Sequence, residues 1–256
     1  MTMTPQQPTV VLVPGAWMGD WIWDDVTVRL RALGHRVSSM TLPGLHAGTS
    51  PEDAAAVTLA DHVAALREHV EALDADFVLL VGHSYSGMVV GQVADQLPNL
   101  VGHSVHIGSF LPRNGRSLID DWGENERART DERSEIVADG MLWAPPPAAA
   151  LELDPALAAH HRAWLLERFV PHPGRTVLDP ARLERPITDQ RGTYVTDAPM
   201  DGDLPAGLLP ELSTPGNAWT VKRLGGGHWP MLTNTTELTQ LLHDENMAGV
   251  RPVRSG

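Results

Sequence analysis

The sequence predicts an α/β protein built on a mostly parallel central sheet with helices on both faces, and three observations carry that prediction. Short apolar runs of strand length alternate with stretches of helical spacing along most of the 256 residues, the pattern of a parallel sheet covered on both sides. One such run, Phe77-Val78-Leu79-Leu80-Val81, is apolar throughout, as expected of a strand buried on both faces. It passes through a tight, glycine-edged turn into a helix. Composition completes the case: 42% hydrophobic residues can bury a full core, and α/β chains of this length are commonly one domain.

Taken in order, Val10-Val11-Leu12-Val13 reads as the first strand, and a helix follows over about 21–33, ended by Gly34. A strand at 36–40 leads into a Pro/Gly-rich loop that runs through Pro51. Thr58 with Asp61 has the spacing of a capping box, and Val63, Leu66, Val70 and Leu73 behind it keep helical spacing. After the apolar strand and its turn come a helix to about Gln96 and a strand over 100–107. The pattern resumes with strands near Thr193 and Trp219, and Asn234 with Glu237 opens a closing helix to His243. Residues 247–256 have no apolar periodicity and read as a loose tail.

Residues 111–187 break the alternation. They are rich in Ala, Pro and acidic residues, contain Pro145-Pro146-Pro147 and Pro171-His172-Pro173, and show helical spacing. The expected organisation is therefore a core made of 1–110 and 188–256, with 111–187 inserted as a helical lid that excludes water and sets substrate choice.

The turn after the apolar strand is Gly82-His83-Ser84-Tyr85-Ser86-Gly87, with a serine at its tip and small residues two positions either side. This is the arrangement of a nucleophile elbow, which exposes the serine hydroxyl at the C-terminal edge of a parallel sheet and aims the N–H of the next residue, Tyr85, at an incoming carbonyl. The usual pattern has glycine where Ser86 stands. In this architecture the general base follows late in the chain, after the acid. Gly225-Gly226-Gly227-His228 occupies that place, after the strand-like Ala218-Trp219-Thr220-Val221-Lys222-Arg223-Leu224, and His228 is the predicted base. Asp197, Asp201 and Asp203 follow the strand-like Thr193-Tyr194-Val195-Thr196. One of them is expected to accept the imidazole N–H and fix its tautomer; Asp201 ranks first, Asp203 second and Asp197 third.

The chain resembles the α/β-hydrolase superfamily, and within it the compact branch of plant methylesterases, hydroxynitrile lyases and related bacterial esterases. The resemblance rests on Val10-Val11-Leu12-Val13-Pro14-Gly15-Ala16-Trp17, Gly19-Asp20-Trp21-Ile22-Trp23, Ala32-Leu33-Gly34-His35-Arg36-Val37, the elbow, and Gly227-His228-Trp229-Pro230-Met231-Leu232. It implies an α/β-hydrolase fold and an oxyanion hole formed by the N–H groups of Ala16 (or Trp17) and Tyr85. Relatives carry their acid in an Asp-x-x-Leu/Ile-Pro stretch, which Asp201-Gly202-Asp203-Leu204-Pro205 matches. Pro14 stands where relatives usually have histidine, and proline offers no side-chain hydrogen bond. The implied chemistry is hydrolysis of a carboxylic ester or lactone of a small, largely apolar molecule through an acyl-serine.

Trp17, Trp143, Trp164 and Trp229 are the predicted substrate-binding residues, with Trp122 and Phe169 as further aromatic candidates; for each indole alone, packing the lid onto the body is the simpler role. Two alternatives share the catalytic residues. A hydroxynitrile lyase has a lysine after its catalytic histidine and a threonine in the oxyanion loop, where this chain has Trp229 and Gly15. A small-molecule receptor or secondary-metabolite tailoring protein would keep the same set.

His83 reads as a packing or hydrogen-bonding residue, and His35, Trp21 and Trp23 as structural. The histidines lack ligand spacing, so no metal site is expected. Gly15 and Gly19 form no dinucleotide fingerprint, and no cofactor is expected. With no cysteine, disulfides and thiolate chemistry are excluded. A net charge of −13 argues against nucleic acid or an anionic membrane as partner, and a homodimer stays open. Residues 1–8 lack a basic segment and an apolar run, and no run approaches the ~20 apolar residues that span a bilayer; the expected location is the cytoplasm.

Overall fold

The computed structural model describes residues 8–197, 212 and 218–249. Five consecutive buried residues make the first strand, β1 (Thr9–Val13). A short 3-10 turn, Asp20–Trp23, leads into α1 (Asp24–Ala32). The edge strand β2 (Val37–Ser39) is half-buried and shorter than its sequence predicts, because it pairs with β1 on one side only. Ser50 caps a short helix, α2 (Pro51–Ala56), with proline at its start. The sequence reads only a loop there, since so short an element has no periodicity to read. The Thr58–Asp61 capping box opens α3 (Leu59–Glu71).

The apolar run becomes β3 (Val78–His83), buried along its whole length, and is followed by α4 (Gly87–Gln96) and β4 (Val101–Ile107). Between β4 and the next strand of the sheet come α5 (Glu126–Ala138), β5 (Leu142–Trp143), α6 (Ala148–Leu151), α7 (Ala159–Leu166), β6 (His172–Pro173) and α8 (Arg175–Leu178). Helices are its main regular elements, but much of the segment is irregular and β5 and β6 pair antiparallel, Trp143 opposite His172, a two-residue pairing too short to leave an alternation in sequence. The chain then returns to the sheet with β7 (Gly192–Thr196) and β8 (Trp219–Arg223), and ends in α9 (Pro230–Thr233) and α10 (Thr235–Gly249).

The six main strands lie in the order β2-β1-β3-β4-β7-β8 and every pairing is parallel. Side chains alternate across the sheet. Val11, Val13 and Leu80 face the core under α3 and α4, whereas Val10, Leu12, Leu79 and Val81 face the opposite core under α1 and α10. Register aligns the strand ends: Val13 pairs with Gly82, His83 with Ile107 and Thr196 with Arg223. The C-terminal ends of β1, β3, β4, β7 and β8 therefore share one edge, where ligands of open parallel sheets bind.

Two polar clusters tie α10 to the body. Asn246 donates to the Pro8 carbonyl at 3.2 Å and to His35 Nδ1 at 2.9 Å, and this tertiary anchor carries the helix past the predicted end at His243 into residues read as a loose tail. Glu245, buried, accepts from His103 Nε2 and Thr193 Oγ1, each at 2.9 Å, and from Lys222. Although burial opposes it, these donors hold the Glu245 carboxyl down at about 2. A carboxyl lowered on folding contributes stability above its unfolded pKa, near 4.5, and loses it as pH falls from there toward 2. Glu245→Gln is expected to cost about 2 kcal/mol at neutral pH, since its partners His103 and Lys222 keep some solvent contact. Urea unfolding at pH 7 and pH 3.5 should show the gap to wild type shrinking at the lower pH.

Candidate active site

Ser84 sits at the tip of the turn between β3 and α4 with φ 53°, a left-handed conformation in a residue that is not glycine. Such a position costs roughly 1–3 kcal/mol and persists only where its surroundings impose it. The imposing contacts are on both sides. Phe110 N–H donates to the Ser84 carbonyl at 3.1 Å. Ser86 Oγ accepts the His83 N–H at 2.8 Å and lies 2.9 Å from the carbonyl oxygens of Val13 and His83, to one of which it donates. Serine in place of the usual glycine thus joins the turn to the end of β1. Immediately beyond, Gly15 runs so close that a Cβ on it would stand 3.0 Å from Ser84 Cβ and 2.8 Å from His83 Nδ1. Ala16, buried, follows. Trp17, also left-handed at φ 64°, turns its own N–H toward His172 Nδ1 at 3.4 Å.

His228 comes to the same edge on the loop between β8 and α9. Its peptide is held from two directions. His83 Nε2 donates to the His228 carbonyl at 2.7 Å, and the His228 N–H donates to Asp154 Oδ2 at 2.8 Å. The two imidazoles lie 4.7 Å apart. A Cβ on Gly108, just past β4, would be 3.6 Å from His228 Nδ1, so that nitrogen faces the ends of β4 and β7, where Gly108 N–H donates to the Val195 carbonyl. Burial lowers the His228 pKa below its ordinary 6.5, opposed by the charges of Asp154 and Asp197. Ser84 and His228 open onto one cavity of about 400 Å³, lined also by Tyr85, Trp17, Trp143, Tyr194, Asp197 and Trp229.

Comparison with known proteins bears on this geometry. The model of the alpha/beta hydrolase family matches residues 10–241, nearly the whole chain. The chain belongs to the alpha/beta hydrolase family. Among curated relatives, the carbendazim hydrolyzing esterase of Nocardioides sp. (strain SG-4G) is 41% identical over 111 residues, 43% of this chain and 45% of that protein. Salicylic acid-binding protein 2 of Nicotiana tabacum is 30% identical over 157 residues, 59% of this chain and 58% of that one. The chain thus spans about half the length of the curated relatives it matches. Among solved structures, an extracellular alpha/beta-hydrolase from a Paenibacillus species superposes with a TM-score of 0.76 at 20% identity, covering 93% of this chain and 98% of that one; it shares the fold.

Within this hydrolase fold, the segment between β4 and β7 supplies one wall of the cavity. Trp122 and Trp143 meet edge-on at 5.0 Å, and both indole N–H groups donate to the carboxylate of Glu132 on α5. Trp17 packs on Trp143 at 4.4 Å and donates its indole N–H to the Trp143 carbonyl. Trp17, Trp143 and Trp229 therefore lie where substrate-binding residues were expected. Trp164 does not: it stands edge-on to Trp21 at 5.0 Å with Arg168 over its ring at 4.5 Å, outside the lining. Its helix turns that face to the first 3-10 turn, a phase a lone indole in sequence does not reveal. Asp201 and Asp203 lie outside the described residues. Asp197, third of the three, directly follows β7 and lines the cavity.

Beneath the cavity lies a buried network that sequence reasoning missed. His62 Nε2 donates to the Pro43 carbonyl, which leaves its Nδ1 to accept the Tyr85 hydroxyl at 2.8 Å. His172 meets Tyr85 edge-on at 4.4 Å and bonds Thr176 at 2.8 Å through Nε2. Burial pushes His62 down to about 4 and His172 well below its usual range, and pushes the Tyr85 hydroxyl up. The network is neutral and supports Tyr85 and Trp17 from below. Among the described residues, no three His, Cys, Asp or Glu side chains converge to hold a metal ion, and no helix is long and apolar enough to cross a membrane.

Proposed function

We propose that this protein is a serine hydrolase that cleaves a carboxylic ester or lactone of a small, largely apolar molecule through an acyl-serine intermediate. One observation carries the reading: Ser84, held left-handed at the C-terminal end of β3, shares a single aromatic-walled cavity with the imidazole of His228. In this mechanism Ser84 Oγ attacks the acyl carbon while His228 takes its proton. The N–H groups of Ala16 and Tyr85 receive the oxyanion; the engagement of the Trp17 N–H with His172 favours Ala16 as the first donor. Collapse expels the alcohol, which takes the proton from His228, and a water activated by the same imidazole hydrolyses the acyl-serine.

The orientation of His228 Nδ1 toward the ends of β4 and β7 fits an acid in the loop after β7, and Asp201 is the residue proposed for it. Residues 111–187 act as the cap, with Trp143 and Trp122 as its contribution to an apolar binding wall. Esterase is also the name of the Nocardioides relative.

Labelling with a fluorophosphonate probe tests the reading. One adduct per chain, mapped to Ser84 by peptide mass, is the expected result. The labelling rate should rise as His228 loses its proton, with its midpoint below pH 6.5 because burial disfavours the imidazolium. A folded wild-type chain that takes no adduct would favour a binding protein on the same fold.

A further inference from the structure

His228 sits in a loop that opens with Gly225, Gly226 and Gly227, the residues that lose most freedom when a chain is ordered. Something must hold such a loop if the imidazole is to be aimed. Asn234 and Thr233 donate to the Gly225 and Gly226 carbonyls, and two groups from different parts of the fold hold the His228 peptide itself. His83, beside the elbow serine, takes the His228 carbonyl, whereas Asp154, in the turn between α6 and α7, takes the His228 N–H. The Asp154 carboxylate is itself fixed, since its other oxygen accepts the Ala156 N–H at 2.9 Å. Gly227 is left-handed at φ 71°, and a side chain there would collide with that carboxylate. The contact crosses 74 residues of sequence.

We infer that Asp154 is a positioning residue for the base: the inserted segment clamps the His228 loop by its main chain and keeps a negative charge beside the imidazole. The inference rests on the proposed hydrolase reading. A carboxylate near an imidazole stabilises the imidazolium that forms as the serine is deprotonated. Among the described residues, the ionisable groups around His228 are Asp154 from the insertion, Asp197 just past β7 and His83 on β3. Burial holds His83 neutral, which leaves Asp154 and Asp197 as the charges that act on the ring among the described residues, beside the acid proposed in the loop after β7. Substrate choice and base alignment are then coupled, because one segment supplies both the cavity wall and this contact.

The test uses the full chain, and its two deciding readouts need no substrate. The titration of His228 is followed by proton–carbon NMR of its Cε1–H, and exchange of its amide by mass spectrometry, in wild type, Asp154→Asn and Asp154→Ala. Asp154→Asn keeps an oxygen acceptor and removes the charge. It should lower the His228 midpoint by about half a pH unit, a modest shift because Asp154 is only half-buried, and move the acid limb of kcat/KM the same way. Asp154→Ala should speed exchange of the His228 amide by about tenfold or more and lower kcat with KM little changed. An unmoved titration in Asp154→Asn together with unchanged amide exchange in Asp154→Ala would overturn the inference. If Asp154→Ala does not fold, the midpoint in Asp154→Asn decides alone. Failure of the hydrolase reading is seen separately, as absence of the fluorophosphonate adduct on wild type.

Discussion

Ser84→Ala is expected to remove turnover of any ester the wild type cleaves, by about 10⁴-fold or more in kcat, and to remove the fluorophosphonate adduct entirely. The magnitude follows from the role: a nucleophile that forms the covalent intermediate has no partial substitute, and what survives its loss is only binding and anion stabilisation. The fold should not change. The contact that holds this residue uses its main chain, since the Ser84 carbonyl accepts from Phe110, and the residues around it are fixed through Ser86. Alanine meets the same left-handed strain as serine, so the melting temperature should stay within a few degrees. Circular dichroism and thermal unfolding check the fold, and single-turnover kinetics the activity. Residual activity near that of wild type would remove Ser84 from the mechanism.

Gly15→Ala should be the second most damaging change, through space rather than chemistry. The new methyl would stand 2.8 Å from His83 Nδ1 and 3.0 Å from both Met18 Cε and Ser84 Cβ, closer than real contacts allow. The imidazole cannot retreat, because its Nε2 is bound to the His228 carbonyl. The loop after β1 must move instead, and with it the Ala16 N–H. Donors serve an oxyanion only within about 2.7–3.1 Å, and losing one costs about 10²–10³ in kcat. The expected signature is a fall of that order in kcat with a small change in KM. A kcat within twofold of wild type would mean that this loop is no part of the anion site.

Much of this edge of the sheet was legible in the sequence because local pattern and chain order coincide there. The apolar run into Gly82-His83-Ser84-Tyr85-Ser86-Gly87 announces a buried strand, a tight turn and a helix, and the structure has all three. His228 was legible by its place after a strand and behind three glycines. What was not legible depends on distant contacts. Asp154 and His172 meet the site across 74 and 155 residues, and a single sequence carries no signal for that. The end of α10 was misjudged because Asn246 is held by Pro8 and His35, not by helical periodicity. Trp164 was placed in the cavity on residue type alone, and type does not say which way a helix faces.

The hydroxyl of Ser86 has a wider consequence. Lying 2.9 Å from the last carbonyl of β1, it would help set, in the proposed mechanism, the spacing between the attacking oxygen and the anion donors when the chain folds, before any ligand arrives. The cost of ordering that half of the machinery is met by folding free energy, so affinity for substrate is free to be spent elsewhere. It also divides the molecule by evolutionary freedom. In the proposed mechanism, mutations in the aromatic wall would alter what enters while Ser84 and its anion donors, seated on the sheet, keep their distance.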